Sequence, residues 1–362
     1  MKWLSYETVE NEDGNMKSSN ELREHVGSPS MFLDSFTRVF DQYRYHYLVT
    51  KVQKKAHADQ ERNLMPGQAL IDVDFAENFQ WEVRDAIQSA YYVTKSCTLF
   101  IGISQYLDKE IWSATSGNLH EGQEVTVMSS ATEKAVCWAI VLEDYVEGEH
   151  VRVRVLRANG DKEWVRRALV RQRKIITKAH CVVSDDDKHD TWFVQRALED
   201  IRGALHGKDI TRWMLRSDGA ASHFKQRFSI HFLKAFAKSS NLEAISWDFG
   251  APGHGKGPWD GLAGTIKRNR IFELELTLVN AHEVFKHIHE YFGTETWAQH
   301  QKKTRGSKIK DMTVTWLPKD VVNHTPGYDV SAVICPETRI GTRLAFCFKL
   351  CCFENSTSCR WR

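Results

Sequence analysis

The ten residues Cys97-Thr-Leu-Phe-Ile-Gly-Ile-Ser-Gln-Tyr106 leave no polar stripe wide enough to face water, and they read as a β-strand buried on both faces. Such a strand needs a covering layer on each side, which restricts the chain to α/β layouts. The neighbouring segments fit that demand. A strand is predicted over 69–79, and a third at His180–Ser184. From Thr191 to Leu205 the residues Trp192, Val194, Ala197, Leu198, Ile201 and Leu205 recur at helical intervals. A strand around Trp213, a helix over Phe224–Lys238 and a strand over Ala244–Phe249 follow. A helix over Gly261–Arg270 comes next, continuing after a break as Val279–Phe292. Three strands, a helix, a strand, a helix, a strand and a helix form a mixed sheet with helices on both faces.

The loop before the Gly261 helix carries chemistry. Asp248-Phe-Gly-Ala-Pro-Gly-His-Gly-Lys-Gly-Pro-Trp-Asp-Gly-Leu-Ala-Gly-Thr-Ile-Lys267 places His254, Lys256 and Asp260 around a glycine-rich turn. Pro258 suits the first turn of a helix, where a missing N–H costs little. Asp260 falls in that same turn, facing the orphan N–H groups. Gly250 to Lys256 reads G-x-x-x-x-G-K, one residue short of a nucleotide-binding P-loop. The next position must be Ser or Thr to hold magnesium, and here it is Gly257. A nucleotide site therefore ranks below a metal or phosphate site, and a plain capped helix is the competing structural reading.

Two acidic segments lie upstream. In Ala69-Leu-Ile-Asp-Val-Asp-Phe-Ala-Glu-Asn-Phe79, period-two geometry puts Asp72 and Asp74 on one face of the strand. Arg212-Trp-Met-Leu-Arg-Ser-Asp-Gly-Ala-Ala-Ser-His-Phe-Lys225 reads as a strand ending at Ser217-Asp218-Gly219. Taken alone, each acid reads better as plain structure, Asp72 and Asp74 as strand caps and Asp218-Gly219 as an ordinary turn. In this order, DFAEN, SDGAASHFK and HGKGPWDGLAGTIKR, they resemble the transposase-like proteins of eukaryotic mobile elements. The resemblance covers roughly residues 31–110 and 174–300. It implies a ribonuclease-H-like core with a catalytic, metal-binding triad of Asp74, Asp218 and Asp260. Glu77 and Asn78 match motif positions without an assigned role. The implied reaction is phosphodiester cleavage and strand transfer on DNA, with two divalent cations, magnesium or manganese, as cofactors. Two ions about 3.5–4 Å apart clamp the attacking and leaving oxygens of an in-line displacement, and such hard ions favour carboxylate ligands. His254, Lys256, Lys267 and Arg268 are the expected phosphate and DNA contacts at this end of the chain.

Between the second and third strands, residues 113–173 have their own pattern. Gly122-Gln-Glu-Val-Thr-Val, Val136-Cys-Trp-Ala-Ile-Val-Leu, His150-Val-Arg-Val-Arg-Val-Leu and Lys162-Glu-Trp-Val alternate and are separated by turns, among them Asn159-Gly160. They predict a small inserted all-β barrel of the SH3 or Tudor kind. Its second half is basic, and Arg166, Arg167, Arg171 and Arg173, with Trp164 nearby, are expected on a DNA-backbone surface. A solvated barrel face is the alternative. Chromatin is a further expected partner for this module.

Four segments result: a polar, loosely ordered N-terminus and packing helix (1–65), a split core (66–112 and 174–300), the insertion (113–173) and a C-terminal extension (301–362). The packing helix is expected over Met31–Lys55; the family it resembles carries more sequence ahead of this helix, so an upstream DNA-binding domain is expected to be absent from this chain. The formal net charge is only +2 over 362 residues, so DNA affinity must come from local patches. No run is apolar enough to span a membrane, and the N-terminus has no secretory pattern. A nuclear location is expected, and a homo-oligomer is left open. Cys347, Cys351, Cys352 and Cys359 crowd the tail, where zinc is an alternative to a disordered end. A domesticated, non-catalytic DNA- or chromatin-binding descendant is the second functional reading, and a nucleotide binder the third.

Overall fold

A computed structural model describes residues 2–10, 16–76, 78–80, 96–113, 119–129, 135–147, 150–220, 222–250, 257–268, 280–293, 309–322 and 347–351. The chain divides into two compact units, Met1–Lys55 and Ala56–Arg362.

In the first unit, β1 (Lys2–Glu10) pairs antiparallel with β2 (Met16–Val26) in a register that runs from Lys2↔Val26 to Thr8↔Asn20. The expectation of a loosely ordered N-terminus is therefore corrected. Charged residues dilute the alternation of both strands, which hid them in the sequence. Trp3 anchors the base, stacked on His25 at 5.4 Å and edge-on to Phe32 at 5.8 Å. α1 (Pro29–Arg62) starts where Ser28 Oγ accepts from the Met31 N–H, with proline in first place. The aromatic positions read as packing positions are exposed instead, including Phe36, Phe40, Tyr43 and Tyr47.

The second unit holds a mixed sheet flanked by helices. Its strands are β3 (Gln68–Phe75), β4 (Phe79–Gln80), β5 (Ser96–Leu107), β11 (Ile175–Ser184), β12 (Arg212–Ser217), β13 (Ala244–Phe249), β14 (Ile309–Trp316) and β15 (Cys347–Cys351). The order is β14-β11-β5-β3-β12-β13-β15, with β4 beside β5. β3–β12, β12–β13 and β11–β14 are parallel; β3–β5, β5–β11 and β13–β15 are antiparallel. Alternation divides the core between two faces. Ile71, Val73, Phe100 and Val182 pack with α3 (Thr191–Ala204) and α4 (Arg227–Ser239). Leu99, Ile101, Ala179 and Cys181 pack with α5 (Pro258–Ile266) and α6 (Ala281–Phe292). β5 is buried along almost its whole length, as its composition demanded.

Several boundaries differ from expectation. α4 begins at Arg227 because residues 222–226 form turns, and α5 begins at Pro258. The core also extends beyond residue 300: β14 lines the sheet edge, and Leu317 and Val322 enter the α3–α4 side of the core. At the other end, Ala56–Arg62 of α1 belongs to this unit.

Between β5 and β11, after a single helical turn α2 (Lys109–Ser113), lie β6 (Glu124–Met128), β7 (Ala135–Glu147), β8 (His150–Arg157), β9 (Lys162–Arg166) and β10 (Val170–Gln172). They form an antiparallel sheet in the order β10-β6-β7-β8-β9 around a valine-rich core that includes Val125, Val141, Val153, Val155 and Val170. Asn159-Gly160 makes the β8–β9 turn, where Gly160 N–H donates to Arg157 O at 3.0 Å.

Candidate metal centre

β3 delivers two carboxylates to one face, and their surroundings separate their roles. Asp72 is opposite Arg216 on β12 and receives a two-point contact, 2.5 Å from Nε to Oδ1 and 2.6 Å from Nη2 to Oδ2. Both residues are buried. On β13, Asp248 is the register partner of Arg216 on its other side, and Asp248 Oδ2 accepts from Gln60 Nε2 at 2.7 Å. Asp72 thus belongs to an acid–arginine–acid row crossing three parallel strands, in which Arg216 is ion-paired with Asp72.

Asp74, one rung further, has no such cation among the described residues. It is half-buried, and Oδ2 accepts from the indole N–H of Trp259 at 3.0 Å. Burial first, then the charge of Asp218 and more weakly that of Asp260, push its carboxyl up to about 7. The three acids proposed from sequence therefore share one electrostatic neighbourhood.

The loops holding the other two acids are shaped by glycine. Asp218 leaves β12 in a tight turn in which its Oδ1 accepts from Ala220 N–H at 3.1 Å. Gly250 N–H donates to Ser217 O at 2.8 Å, and a Cβ on Gly219 would stand 2.7 Å from Gly250 O. The loops after β12 and β13 thus meet backbone to backbone, which only glycine permits. Asp260 sits in the first turn of α5, where its Oδ2 accepts from Gly257 N–H at 2.7 Å, half of a capping box. Trp259 folds back over Gly257, whose missing Cβ leaves room for the ring.

Oxygen-only donors with unbalanced negative charge suit a hard divalent cation. Each carboxylate is nevertheless held by a backbone or indole donor. Among the described residues, no group of three or more His, Cys, Asp or Glu side chains is assembled to hold a metal ion.

On the other flank, Phe75 carries two imidazoles: His189 is stacked on it at 4.3 Å, and His223 meets it edge-on at 5.2 Å. Asn78 Oδ1 lies 2.6 Å from His189 Nε2, and Thr98 Oγ1 lies 3.2 Å from the same atom. Because the Thr98 hydroxyl donates to Asp186 O at 2.6 Å, Nε2 is the protonated nitrogen of His189. This gives Asn78 of the DFAEN motif a role, fixing an imidazole. Beside the acids, Asp72, Arg216, His57, Glu61, Gln105 and Trp259 line part of a cavity of about 510 Å³.

The predicted phosphate contacts fall into three groups. His254 and Lys256, with Glu77, lie outside the described residues, as do Cys352 and Cys359 and the side chains of Cys347 and Cys351. Lys267 is half-buried at the end of α5, while Arg268 is exposed with Nε 3.2 Å from Gly264 O. Of the insertion's arginines, Arg166 is exposed, as are Arg152 and Arg154, the last with its guanidinium 6.0 Å from the Trp164 ring centre. Arg167 is paired with Asp144 at 2.9 Å, and Arg171 donates to Ala168 O at 2.6 Å. Arg173 is a correction: it is buried, and its guanidinium donates to Leu64 O, Glu61 O and Thr126 Oγ1 at 2.9–3.0 Å. It bolts the insertion to the core, leaving no donor turned to a phosphate.

Sequence reasoning missed Trp259, Arg216 and His189. Trp259 stood next to Asp260 in the motif, and Arg216 two residues before Asp218; His189 carried no local signal.

A family model described as Domain of unknown function (DUF8701) matches residues 53–126 and 165–325. The stretch it passes over holds most of β7, β8 and β9. Comparison with curated proteins and with solved structures gives no match.

Proposed function

The chain belongs to the Domain of unknown function (DUF8701) family, and we propose that it is a transposase- or integrase-like enzyme cleaving and joining DNA phosphodiesters. The observation that carries this reading is the half-buried carboxyl of Asp74, which burial first, then the charge of Asp218 and more weakly that of Asp260 raise to about 7. Burial raises Asp72 as well, but Asp72 holds a two-point contact from the Arg216 guanidinium, whereas the trio is bonded by backbone and indole N–H groups. The chain order β3, β5, β11, α3, β12, α4, β13, α5 supports a ribonuclease-H-like core. The small antiparallel sheet of residues 124–172 is read as an SH3-like barrel whose Arg152, Arg154, Arg166 and Trp164 face DNA.

In this reading Asp74, Asp218 and Asp260 would hold two divalent cations, which would supply charge neutralisation at the attacking and leaving oxygens when bound. The protein's own contributions are separable. Trp259 aims the carboxylate of Asp74 through its indole N–H, and the Asp72–Arg216 pair fixes the rung beneath it. The Gly219–Gly250 contact holds the Asp218 loop in place.

The second reading, a non-catalytic DNA-binding descendant, draws on the separate hydrogen bonds that each carboxylate makes. A nicking assay on supercoiled plasmid with manganese separates the two. The enzyme reading expects nicking that Asp218→Asn or Asp260→Asn lowers by roughly 10²–10⁴-fold with plasmid binding retained. Plasmid binding without nicking, or nicking indifferent to both substitutions, would sink it.

A further inference from the structure

The first unit presents a feature that phosphodiester chemistry does not use. Along α1, Leu33, Phe36, Phe40, Tyr43 and Tyr47 follow one another at alternating spacings of three and four residues. That repeat lines up side chains along one seam of a helix and is the pattern by which two helices interlock. Folded chains ordinarily hide such a seam, yet these residues are 57%, 51%, 44%, 60% and 49% exposed. Val39, beside them, is 55% exposed. The rings cover one another only along the helix, with centroids of Phe36–Phe40 at 5.5 Å, Phe40–Tyr43 at 6.5 Å and Tyr43–Tyr47 at 6.2 Å. Asp34, Arg38 and Asp41 lie off the stripe.

We propose that this stripe is the seam of a homodimer in which α1 of one copy packs along α1 of a second. Two points select a second copy as the occupant. The three-four repeat is self-complementary, so one surface supplies both knobs and holes. The exposed area of the stripe is roughly 600 Å² per copy, or roughly 1,200 Å² for two, which reaches the lower bound of specific protein interfaces. A patch of that size on a monomer marks an interaction site and is a solubility liability if left bare. The inference is independent of the metal centre, since its seam lies wholly within Met1–Lys55.

Sedimentation velocity and light scattering of the full chain test it across a roughly 100-fold concentration range. The expected mass is twice 41.8 kDa, falling toward 41.8 kDa on dilution. The double substitution Phe40→Glu with Tyr43→Glu introduces charges at the seam, and it is expected to give 41.8 kDa throughout with an unchanged far-ultraviolet dichroism spectrum. Phe40→Leu with Tyr43→Leu, which keeps an apolar seam, retains the dimer; so does Arg38→Glu with Asp41→Lys, off the stripe. A wild-type mass of 41.8 kDa at every concentration would assign the stripe to another occupant and overturn the proposal. A dimer that survives the double glutamate substitution would overturn it equally, by moving the interface elsewhere.

Discussion

Replacing Asp74 by Asn should make the metal-free protein more stable, an unusual outcome for a half-buried polar residue. Asp74 Oδ2 accepts from the Trp259 indole N–H, and an asparagine carbonyl can accept the same bond, so the substitution removes charge with little change in shape. The carboxyl is raised from 3.8 to about 7. Its folded value lies above its unfolded value, so the folded state holds the proton more tightly. The cost of ionising it in the folded chain is absent below the unfolded value, grows as pH rises, and is complete above about 7. A shift of roughly 3 units corresponds to about 4 kcal/mol, and partial exposure to water screens this to about 2 kcal/mol. At this chain length that is about 3 °C in Tm. Thermal unfolding of both proteins in EDTA should show the Asn variant ahead at about pH 8 and level with wild type near pH 4, other titrating groups cancelling in the difference. Equal stability at about pH 8 would mean that neither burial nor the charges of Asp218 and Asp260 raise the Asp74 carboxyl in the folded chain, and an advantage of the same size at both pH values would reduce the effect to packing. Magnesium or manganese should close the gap by stabilising wild type alone.

Other expectations follow from single contacts. Arg216→Met leaves Asp72 buried without its partner and should cost about 3–5 kcal/mol in urea unfolding, whereas Asp72→Leu combined with Arg216→Met should recover much of it. Gly219→Ala forces a methyl against Gly250 O and should destabilise by roughly 1–3 kcal/mol; Gly203→Ala, inside α3 with nothing within 4 Å, should stabilise by about 0.5–1 kcal/mol. His180 is buried against Ser104 Oγ, and desolvation lowers it to about 3. Its folded value lies below its unfolded 6.5, so it favours folding above 6.5 and loses that contribution as pH falls toward 3. His180→Gln should flatten the acid limb of stability, measured by urea titration, by about 1.4 kcal/mol per pH unit near pH 5.

Elements whose burial follows from their own composition were legible in the sequence. β5 and β13 came out nearly residue for residue because apolar alternation and turn residues agree there. The same logic placed Asp72 and Asp74 on one face but could not distinguish them. That distinction depends on Arg216, 144 positions away along the chain, and on Trp259, 185 positions away. The basic run ending at Arg173 was misread in part for a related reason: charge along a chain does not reveal which guanidinium turns inward to meet carbonyls. β14 escaped notice because Ile309-Lys-Asp-Met-Thr-Val-Thr-Trp316 places charges near its start, as an edge strand tolerates. Asn78 was visible as a motif position, while its partner His189 lies across the fold at the end of an acidic stretch.

The small antiparallel sheet enters and leaves the core through a single doorway. Leu107 and Ile175 are register partners, and Asp108 N–H donates to Lys174 O at 2.9 Å. To β5 and β11, everything in between is the loop of a hairpin. Lengthening such a loop costs only logarithmically in closure entropy, so its contents can change while the ladder on either side stays intact. A lineage can therefore exchange this module, and with it whatever surface it recruits, without retuning the strands that position Asp74. Any replacement would have to preserve the bonds of Arg173 to the Leu64 and Glu61 carbonyls and the contact of Arg62 with the Trp138 ring.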